Sequence, residues 1–406
     1  MCYAGYALNH PDEFRIVAVA DPAEHRRRQA VEKHGIPPEM CFESAEELAA
    51  QPKLADVAIN GTMDRLHVPT SLPLLKLGYH LLLEKPIAPT AAEVLLLRDT
   101  ARKYERKVMI CHVLRYAPFY RAIRQHVADG EIGDVVSVQT QENVSYHHMA
   151  VGFIRGKWRR EGESNSMLMA KCCHDMDLIA WMKSGIAPRK VSSFGSLMQF
   201  KPENAPEGSG MRCLVDCKIE ATCPYSAYKN YVDQGLWGMY AWEPVEHLNL
   251  DAEGKLESLR TDNPFGRCVW HCDNDVVDHQ SVIVEFADGS TATHNMVGGT
   301  SRPGRWIHLI GTTGEIQGDI REGFFVVRHM DARAGHEYSE ERIDVNVSDD
   351  GHGGGDLRLV EDFVHVMRGE APSISTTGLE DSVYGHLIGF TADDSRREGR
   401  VVEIKS

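Results

Sequence analysis

Apolar, β-branched runs that alternate with helical segments constrain the start of this chain more than any other feature. The runs are FRIVAV (14–19), ADVAIN (55–60), HLLLE (80–84) and KVMICHV (107–113). Each has the composition of a strand buried on both faces. Between the runs, Ser44 with Glu47 and Thr90 with Glu93 provide capping boxes for two helices. This alternation predicts a Rossmann-type parallel sheet with helices on both faces.

The pattern changes after about residue 116. Residues 276–299 and 305–320 alternate apolar and polar side chains and contain turn sequences, which is typical of antiparallel strands with one exposed face. We therefore predict a nucleotide-binding domain over 1–116 and an α+β domain over 117–406 with a large, open, mainly antiparallel sheet. An uncovered sheet face of this kind favours a homo-oligomer, either a dimer or a tetramer.

Charge and composition exclude several classes of partner. The formal net charge is -15, from 44 Lys and Arg against 59 Asp and Glu, which would repel a nucleic-acid backbone. No run of 18 apolar residues and no N-terminal secretory segment is visible, so we expect no membrane span. Ten cysteines over 406 residues are too sparse for a disulfide scaffold and indicate a reducing compartment. These features predict a cytoplasmic protein.

Polar residues follow the predicted strands at the edge where an open parallel sheet binds its ligands. They are Asp21, Thr62, Glu84, Lys85 and His112. An acid after the second strand of a dinucleotide-binding fold accepts hydrogen bonds from ribose hydroxyls and repels a 2′-phosphate, so Asp21 favours NAD over NADP. The alternative is that Asp21 and Pro22 only form a turn.

The glycine-rich turn of a Rossmann fold is missing from this sequence. No G-x-G-x-x-G occurs, and the opening residues MCYAGYALNHPDEF (1–14) resemble the helix that would follow such a turn. Either the first strand and the turn are encoded upstream of Met1, as we expect, or the protein has no pyrophosphate cradle.

Four motifs give the chain a specific resemblance. LLLEKPIAPT (81–90), together with VADP (19–22) before it and CHVLRYAPFY (111–120) and CHDMDLIAW (173–181) after it, resembles the Gfo/Idh/MocA oxidoreductase family. The resemblance covers essentially the whole chain. It implies a Rossmann domain, a C-terminal α/β domain with a large open sheet, NAD(P) as cofactor and a sugar or polyol as substrate.

Lys85 is the first candidate catalytic residue. Hydride transfer from an alcohol requires that its hydroxyl lose a proton, so a base or a hydrogen-bonding cation must touch that oxygen. A partly desolvated lysine beside a cationic nicotinamide should have a lowered pKa and could fill either role, with Glu84 holding it in place. Pro86 would fix the turn, and the peptide bond that precedes it could be either cis or trans. The alternative is a lysine that simply points to water.

His174 is the second candidate, because an imidazole that titrates near neutrality can accept the substrate proton. Asp177 lies three residues on, on the same helical face, and could orient the ring or bind a hydroxyl. The chain departs from the family at Ala170, where many members have an aspartate. Either Lys171 or another acid compensates, or the chemistry differs from simple polyol dehydrogenation.

The resemblance also implies roles for residues around these two. Arg115, Tyr116, Lys171 and Asp177 are implied to bind substrate. The cofactor-binding set is Asp21, Thr62, His67, Glu84, Lys85, His112, Trp158 and Arg159. For each, the alternative is a packing aromatic residue, a structural residue or a surface charge.

A cysteine-rich insert spans about 200–275. Cys213, Cys217, Cys223 and Cys272 are candidate ligands of a structural zinc ion or an iron–sulfur cluster, which would stabilise an insert predicted to have little core of its own. Free or disulfide-bonded thiols are the alternative.

Three functions are consistent with these features. The leading one is an NAD-dependent oxidoreductase acting on a secondary hydroxyl of a sugar, polyol or glycoside. The second is an NAD-dependent glycoside hydrolase that oxidises transiently and eliminates the aglycone, and the third is a non-catalytic sugar or NAD sensor. A sensor needs neither Lys85 nor His174, so their joint presence argues against it.

Overall fold

Parallel strands and helices alternate over the first part of the computed structural model, which describes residues 3–346 and 351–405. The strands are β1 (Val19–Ala20), β2 (Cys41–Phe42), β3 (Val57–Asn60), β4 (His80–Leu83) and β5 (Val108–Ile110), and the helices are α1 (Tyr6–Asn9), α2 (Glu24–His34), α3 (Ala45–Ala49), α4 (His67–Lys76) and α5 (Ala91–Lys103). Strands β3, β4 and β5 form one parallel sheet, and β1 pairs with β2 in a second. The predicted Rossmann-type fold class is confirmed.

Two helix starts follow their predicted caps. The side chain of Ser44 accepts a hydrogen bond from the Glu47 N–H (3.1 Å), and that of Thr90 accepts one from the Glu93 N–H (3.3 Å).

The predicted strand at 14–19 is formed only at its last residue, Val19. In a doubly wound sheet with strand order 3-2-1-4-5-6, β1 and β3 correspond to the second and fourth strands, and the first strand lies between them. Neither β1 nor β3 has a second strand neighbour among the described residues.

The second part of the chain forms a nine-stranded sheet in the order β13-β12-β11-β10-β6-β9-β8-β7-β14. Every adjacent pair is antiparallel except β6 with β9, as the predicted mainly antiparallel sheet requires. The strands are β6 (Val135–Ser145), β7 (Pro188–Ser196), β8 (His279–Phe286), β9 (Thr291–Thr300), β10 (Gly304–Gly311), β11 (Gly314–Asp319), β12 (Phe324–Met330), β13 (Tyr338–Asp344) and β14 (Val402–Glu403).

One face of this sheet is covered by helices and the other faces solvent. The helices of this part of the chain are α6 (Pro118–Ala128), α7 (Tyr146–Met149), α8 (Met167–Met182), α9 (Gly238–Ala241), α10 (Ala252–Arg260), α11 (Gly355–Met367) and α12 (Leu379–Glu398). Of these, α6, α7, α8 and α12 contact the sheet. In β8, Val282 and Val284 are buried beneath them while Ile283 is exposed. None of the helices in the described ranges is both long enough and apolar enough to cross a bilayer.

The C-terminal helices also complete the core of the first domain. Phe363 of α11 packs with Leu82 and Met109, and Leu387 of α12 packs in a cluster with Leu83. The domain boundary at residue 116 stays a prediction. Helices α11 and α12, which lie after this boundary in the sequence, pack against the parallel sheet that lies before it.

The insert at about 200–275 has a small core of its own, which corrects the expectation of a coreless loop. Tyr231, Leu259 and Phe265 are buried in one cluster with Ala241 and with Val151 from outside the insert. These residues are spread over short helices and follow no regular period, so the sequence pattern alone indicates an irregular segment.

The contact between α8 and α12 depends on a glycine. A Cβ atom at Gly385 would lie 2.9 Å from backbone atoms of Asp177, whereas one at Gly162 would meet nothing within 4 Å. We expect Gly385→Ala to lower the free energy of unfolding by about 1–3 kcal/mol, the usual cost of overpacking. Urea denaturation measures this, with Gly162→Ala as the control. Equal stability of the two variants would contradict close packing of the helices.

Candidate active site

The EKP turn, residues 84–86, lies at the carboxyl end of β4 and is held by both parts of the chain. The Glu84 N–H donates to the carbonyl at the end of β3 (2.9 Å), and the Lys85 N–H donates to the Glu84 carboxylate (3.0 Å). The peptide bond after Lys85 is cis, one of the two forms considered above. The Ile87 N–H donates to Nε2 of His386 on α12 (2.8 Å). The backbone that carries Lys85 is therefore anchored on two sides.

His67 supports this turn from the start of α4. Its buried ring places Nδ1 2.7 Å from the Pro86 carbonyl oxygen and Nε2 2.8 Å from that of Thr62. The Thr62 hydroxyl donates to Oδ1 of Asn60 (2.9 Å). Because both ring nitrogens of His67 face backbone carbonyls, we reinterpret it as a residue that positions the EKP turn, in place of the expected cofactor contact.

Asp21 follows β1 and, together with Pro22, forms the turn that is the alternative to a cofactor-binding role. Its Oδ1 accepts a hydrogen bond from the Ala23 N–H (2.8 Å), and Arg27 donates to its carbonyl oxygen (2.7 Å). The Oδ2 atom makes no hydrogen bond within the described ranges and is free to accept one from a ribose hydroxyl. The turn and the cofactor role are therefore compatible.

The electrostatic setting of Lys85 differs from the expectation. Burial lowers its pKa, but the neighbouring Cys173, Glu84, Asp64 and Tyr240 raise it by more, so the pKa lies above its ordinary value. The expected lowering was wrong for the protein without nucleotide, because that expectation counted desolvation and a bound cation but not these anionic or acidic neighbours. Lys85 is thus protonated at neutral pH.

Three of those neighbours were missed by the sequence analysis. Cys173 directly precedes His174 in α8, Asp64 is buried just after β3, and Tyr240 belongs to α9 of the insert. The motif around His174 could have pointed to Cys173. No motif marks Tyr240, which lies 155 positions after Lys85 in the chain and comes close only through folding.

Arg115 and Asp177 form a buried ion pair. Nε and Nη2 of Arg115 each donate to one oxygen of Asp177 at 2.7 Å, and both side chains are 1% exposed. The Tyr116 hydroxyl donates to Asp362 (2.7 Å) and is also buried. These groups are saturated by protein partners, so we reinterpret Arg115, Tyr116 and Asp177 as residues that position the site rather than as substrate ligands.

Three imidazoles meet behind the turn. The ring of His112 lies 5.9 Å from that of His174 and 5.5 Å from that of His386. Burial, with a contribution from His112, lowers the pKa of His386 to about 3, and burial together with Arg115 and Lys85 lowers the pKa of His112 well below its usual range. His112 and His386 are therefore neutral at pH 7.

Lys171 faces a second charged network, at the junction of α8 with the large sheet. Its Nζ lies 3.0 Å from Glu142, and Nε of Arg305 lies 2.6 Å from Glu142 and 3.0 Å from Asp175. Cys172, Asp175 and His294 bring their ligand atoms within 4.8 Å of one another. Two cations already balance the two carboxylates here, which disfavours a metal ion.

Trp158 and Arg159 lie on the insert side. Trp158 lines a pocket with Tyr240 and contacts that ring edge to face at 5.7 Å. Arg159 forms a bidentate pair with Asp273 (2.9 and 3.1 Å). Trp158 can still face a ligand, whereas the pair with Asp273 ties Arg159 to the end of the insert, and the cofactor role of both residues stays a prediction.

Of the four cysteines expected to bind metal, three share one pocket. Cys213, Cys217 and Cys223 line it, but the fourth cysteine there is Cys268. The Cys272 thiol donates to the Cys268 carbonyl (3.2 Å) and lies outside the lining, so its assignment is corrected. All cysteines within the described ranges are free thiols.

The neutral histidines predict an acid-sensitive fold. The pKa of His386 is about 3 in the folded state and about 6.5 in an unfolded chain, so below pH 6.5 the unfolded state binds the extra proton and stability falls as pH decreases towards 3. We expect His386→Gln to remove up to about 1.4 kcal/mol per pH unit from this slope. Urea denaturation between pH 4.5 and 7 measures it, and the exposed His336→Gln is the control. Equal slopes in both variants would contradict a neutral, buried His386.

Comparisons with known proteins cover almost the whole chain. Residues 3–112 match the oxidoreductase family with an NAD-binding Rossmann fold, and residues 124–404 match the C-terminal alpha/beta domain of the same family, GFO_IDH_MocA. YteT of Bacillus subtilis is 26% identical over 365 residues, which are 85% of this chain and 80% of YteT. Trans-1,2-dihydrobenzene-1,2-diol dehydrogenase of Xenopus tropicalis is 28% identical over 220 residues, which are 53% of this chain and 64% of that enzyme.

A solved structure shares the fold over the full length. Levoglucosan dehydrogenase, in a complex with NADH and levoglucosan, superposes with a TM-score of 0.69 at 14% identity and covers 100% of this chain and 96% of its own. With both of its domains matched, this chain belongs to the Gfo/Idh/MocA family of NAD-binding oxidoreductases.

Proposed function

We propose that this protein is an NAD-dependent dehydrogenase that oxidises a secondary hydroxyl of a sugar, polyol or glycoside. The observation that carries the proposal is the position of Lys85: a protonated amine at the carboxyl end of β4, on an anchored turn, next to the segment of α8 that contains His174. The likeness to levoglucosan dehydrogenase in complex with NADH supports the substrate class.

The residues at the strand ends fit a dinucleotide along the same edge. Asp21 would accept hydrogen bonds from the adenosine ribose, and Thr62 and Lys85 would lie towards the nicotinamide end. Bound NAD⁺ supplies the acceptor for the hydride that leaves the carbinol carbon. The described residues offer no glycine-rich cradle for the pyrophosphate, so these contacts are proposed for the two ends only.

Lys85 and His174 divide the proton chemistry between them. Because its pKa is raised, Lys85 is a hydrogen-bond donor to the substrate oxygen and stabilises the negative charge that develops there. His174 then accepts the hydroxyl proton. Ala170 leaves no carboxylate at the family's relay position, and this favours keeping the glycoside hydrolase as the second candidate.

The remaining parts of the proposal rest on composition and shape. The negative net charge and the sparse cysteines support a cytoplasmic protein that does not bind nucleic acid. Phe194, Ile283 and Val297 are exposed on the uncovered face of the large sheet, which supports a homo-oligomer formed through that face.

Lys85 variants test the proposed chemistry. We expect Lys85→Met to leave NAD binding within a few-fold of wild type and to lower kcat by about 10²–10⁴, since it removes the charge that faces the alcohol. Lys85→Arg should lose less if the residue acts as a cation. Calorimetry measures binding, and NADH formation with a panel of sugars, polyols and glycosides measures turnover.

The exposed Lys103→Ala is the matched control. Full activity in Lys85→Met, or no NAD binding by the wild type even when it is extended with upstream in-frame sequence, would contradict the proposal. Aglycone release with no net NADH would instead select the hydrolase.

Asp21 tests the choice between NAD and NADP. We expect Asp21→Ser to shift the ratio of the two dissociation constants towards NADP by on the order of tenfold, because it removes a charge that repels a 2′-phosphate. Fluorescence titration with NADH and NADPH measures both constants, with Asp12→Ser as the control. An unchanged ratio would place Asp21 away from the ribose.

A further inference from the structure

Four cysteines of the insert line a single pocket. Cys213, Cys217, Cys223 and Cys268 share its wall with apolar side chains that include Ile219 and Trp270. Cys213 and Cys268 are buried, and the other two lie nearer the surface.

Local backbone structure brings these thiols together. The Cys213 N–H donates to the Gly266 carbonyl (2.9 Å) and the Cys268 N–H donates to the Met211 carbonyl (2.9 Å), so two chain segments pair and present both thiols to the pocket. Asp216 accepts hydrogen bonds from the backbone N–H groups of Met211 (3.0 Å) and Arg212 (2.9 Å), which fixes the turn that leads to Cys217.

A buried arginine points to a negative occupant. Nη2 of Arg155 lies 3.4 Å from the Cys213 sulfur and 2.8 Å from the Tyr225 carbonyl oxygen, and its Nε donates to the Arg267 carbonyl (2.6 Å). Arg155 is 1% exposed and pairs with no carboxylate among the described residues. A buried charge without a counter-ion is costly. Deprotonated thiolates bound to metal would supply the missing negative charge.

The spacing of the thiols distinguishes a cluster from a single ion. Tetrahedral zinc with bonds of about 2.3 Å needs sulfurs about 3.8 Å apart. Only Cys172, Asp175 and His294, among the described side chains of this type, bring three ligand atoms within 4.8 Å of one another. No three of the pocket thiols therefore bring their sulfurs within 4.8 Å of one another, which is wider than one zinc ion requires. Thiolates bound to separate irons of a larger core do not need to approach one another so closely.

We propose that Cys213, Cys217, Cys223 and Cys268 bind a [4Fe–4S] cluster that holds the insert together. The cluster stabilises the fold of the insert. It lies in the same insert that supplies Tyr240 to the surroundings of Lys85. Loss of the cluster loosens the insert and with it that side of the active site.

Metal and sulfide analysis of the whole protein tests this. Protein purified without oxygen, and reconstituted with ferrous iron and sulfide if isolated colourless, should contain about four irons and four acid-labile sulfides per chain. It should show the broad visible absorption of iron–sulfur charge transfer, and an electron paramagnetic resonance signal after reduction with dithionite. One zinc per chain without sulfide, or no metal after reconstitution, would overturn the proposal.

The variants separate ligands from bystanders. Cys217→Ser and Cys268→Ser should lose most of the iron, whereas Cys272→Ser should keep it, because the Cys272 thiol lies outside the pocket lining. Circular dichroism shows whether each variant is folded, and Cys217, which is only partly buried, is the safer substitution. Iron loss in Cys272→Ser equal to that in Cys268→Ser would contradict the assignment, and so would full iron retention in folded Cys217→Ser.

Discussion

The ion pair between Arg115 and Asp177 is the interaction on which the candidate site depends. Arg115 follows β5 of the parallel sheet, and Asp177 lies one turn after His174 on α8. Two hydrogen bonds of 2.7 Å in a nearly dry setting fix both the distance and the rotation of α8 relative to the strand ends. Removal of one partner from such a pair typically costs about 3–5 kcal/mol, because the other charge stays buried.

The same pair shapes the protonation of its surroundings. The positive charges of Arg115 and Lys85 add to burial in lowering the pKa of His112, which lies 3.6 Å from Asp177. With the carboxylate of Asp177 already neutralised by Arg115, an imidazolium at His112 would gain little. Lys85 thus stays charged, while His112 and His386 beside it are uncharged.

A feature of this structure could be predicted from the sequence when it depends on residues that are close together along the chain. The EKP turn, the capping boxes and the alternation of strands are local signals, and the structure confirms the fold they predict. The motifs imply roles for Arg115, Tyr116 and Asp177. They do not show that Arg115 pairs with Asp177, 62 positions later, or that Tyr116 donates to Asp362. Sequence spacing identifies a charged residue. It does not show which other charge will neutralise it.

The insert shows the same limit more sharply. Its cysteine spacing suggested a metal site, yet the choice of Cys268 over Cys272 depends on a pairing between segments more than 50 residues apart. Tyr231, Leu259 and Phe265 of the insert form a small cluster, while Tyr225 and Trp270 join the core under the large sheet. Tyr240 packs against the small cluster, to which Ala241 of the same helix α9 belongs. Cys213 belongs to this cluster and also lines the thiol pocket, so the proposed iron–sulfur site would link the stability of the insert to the position of Tyr240 beside Lys85.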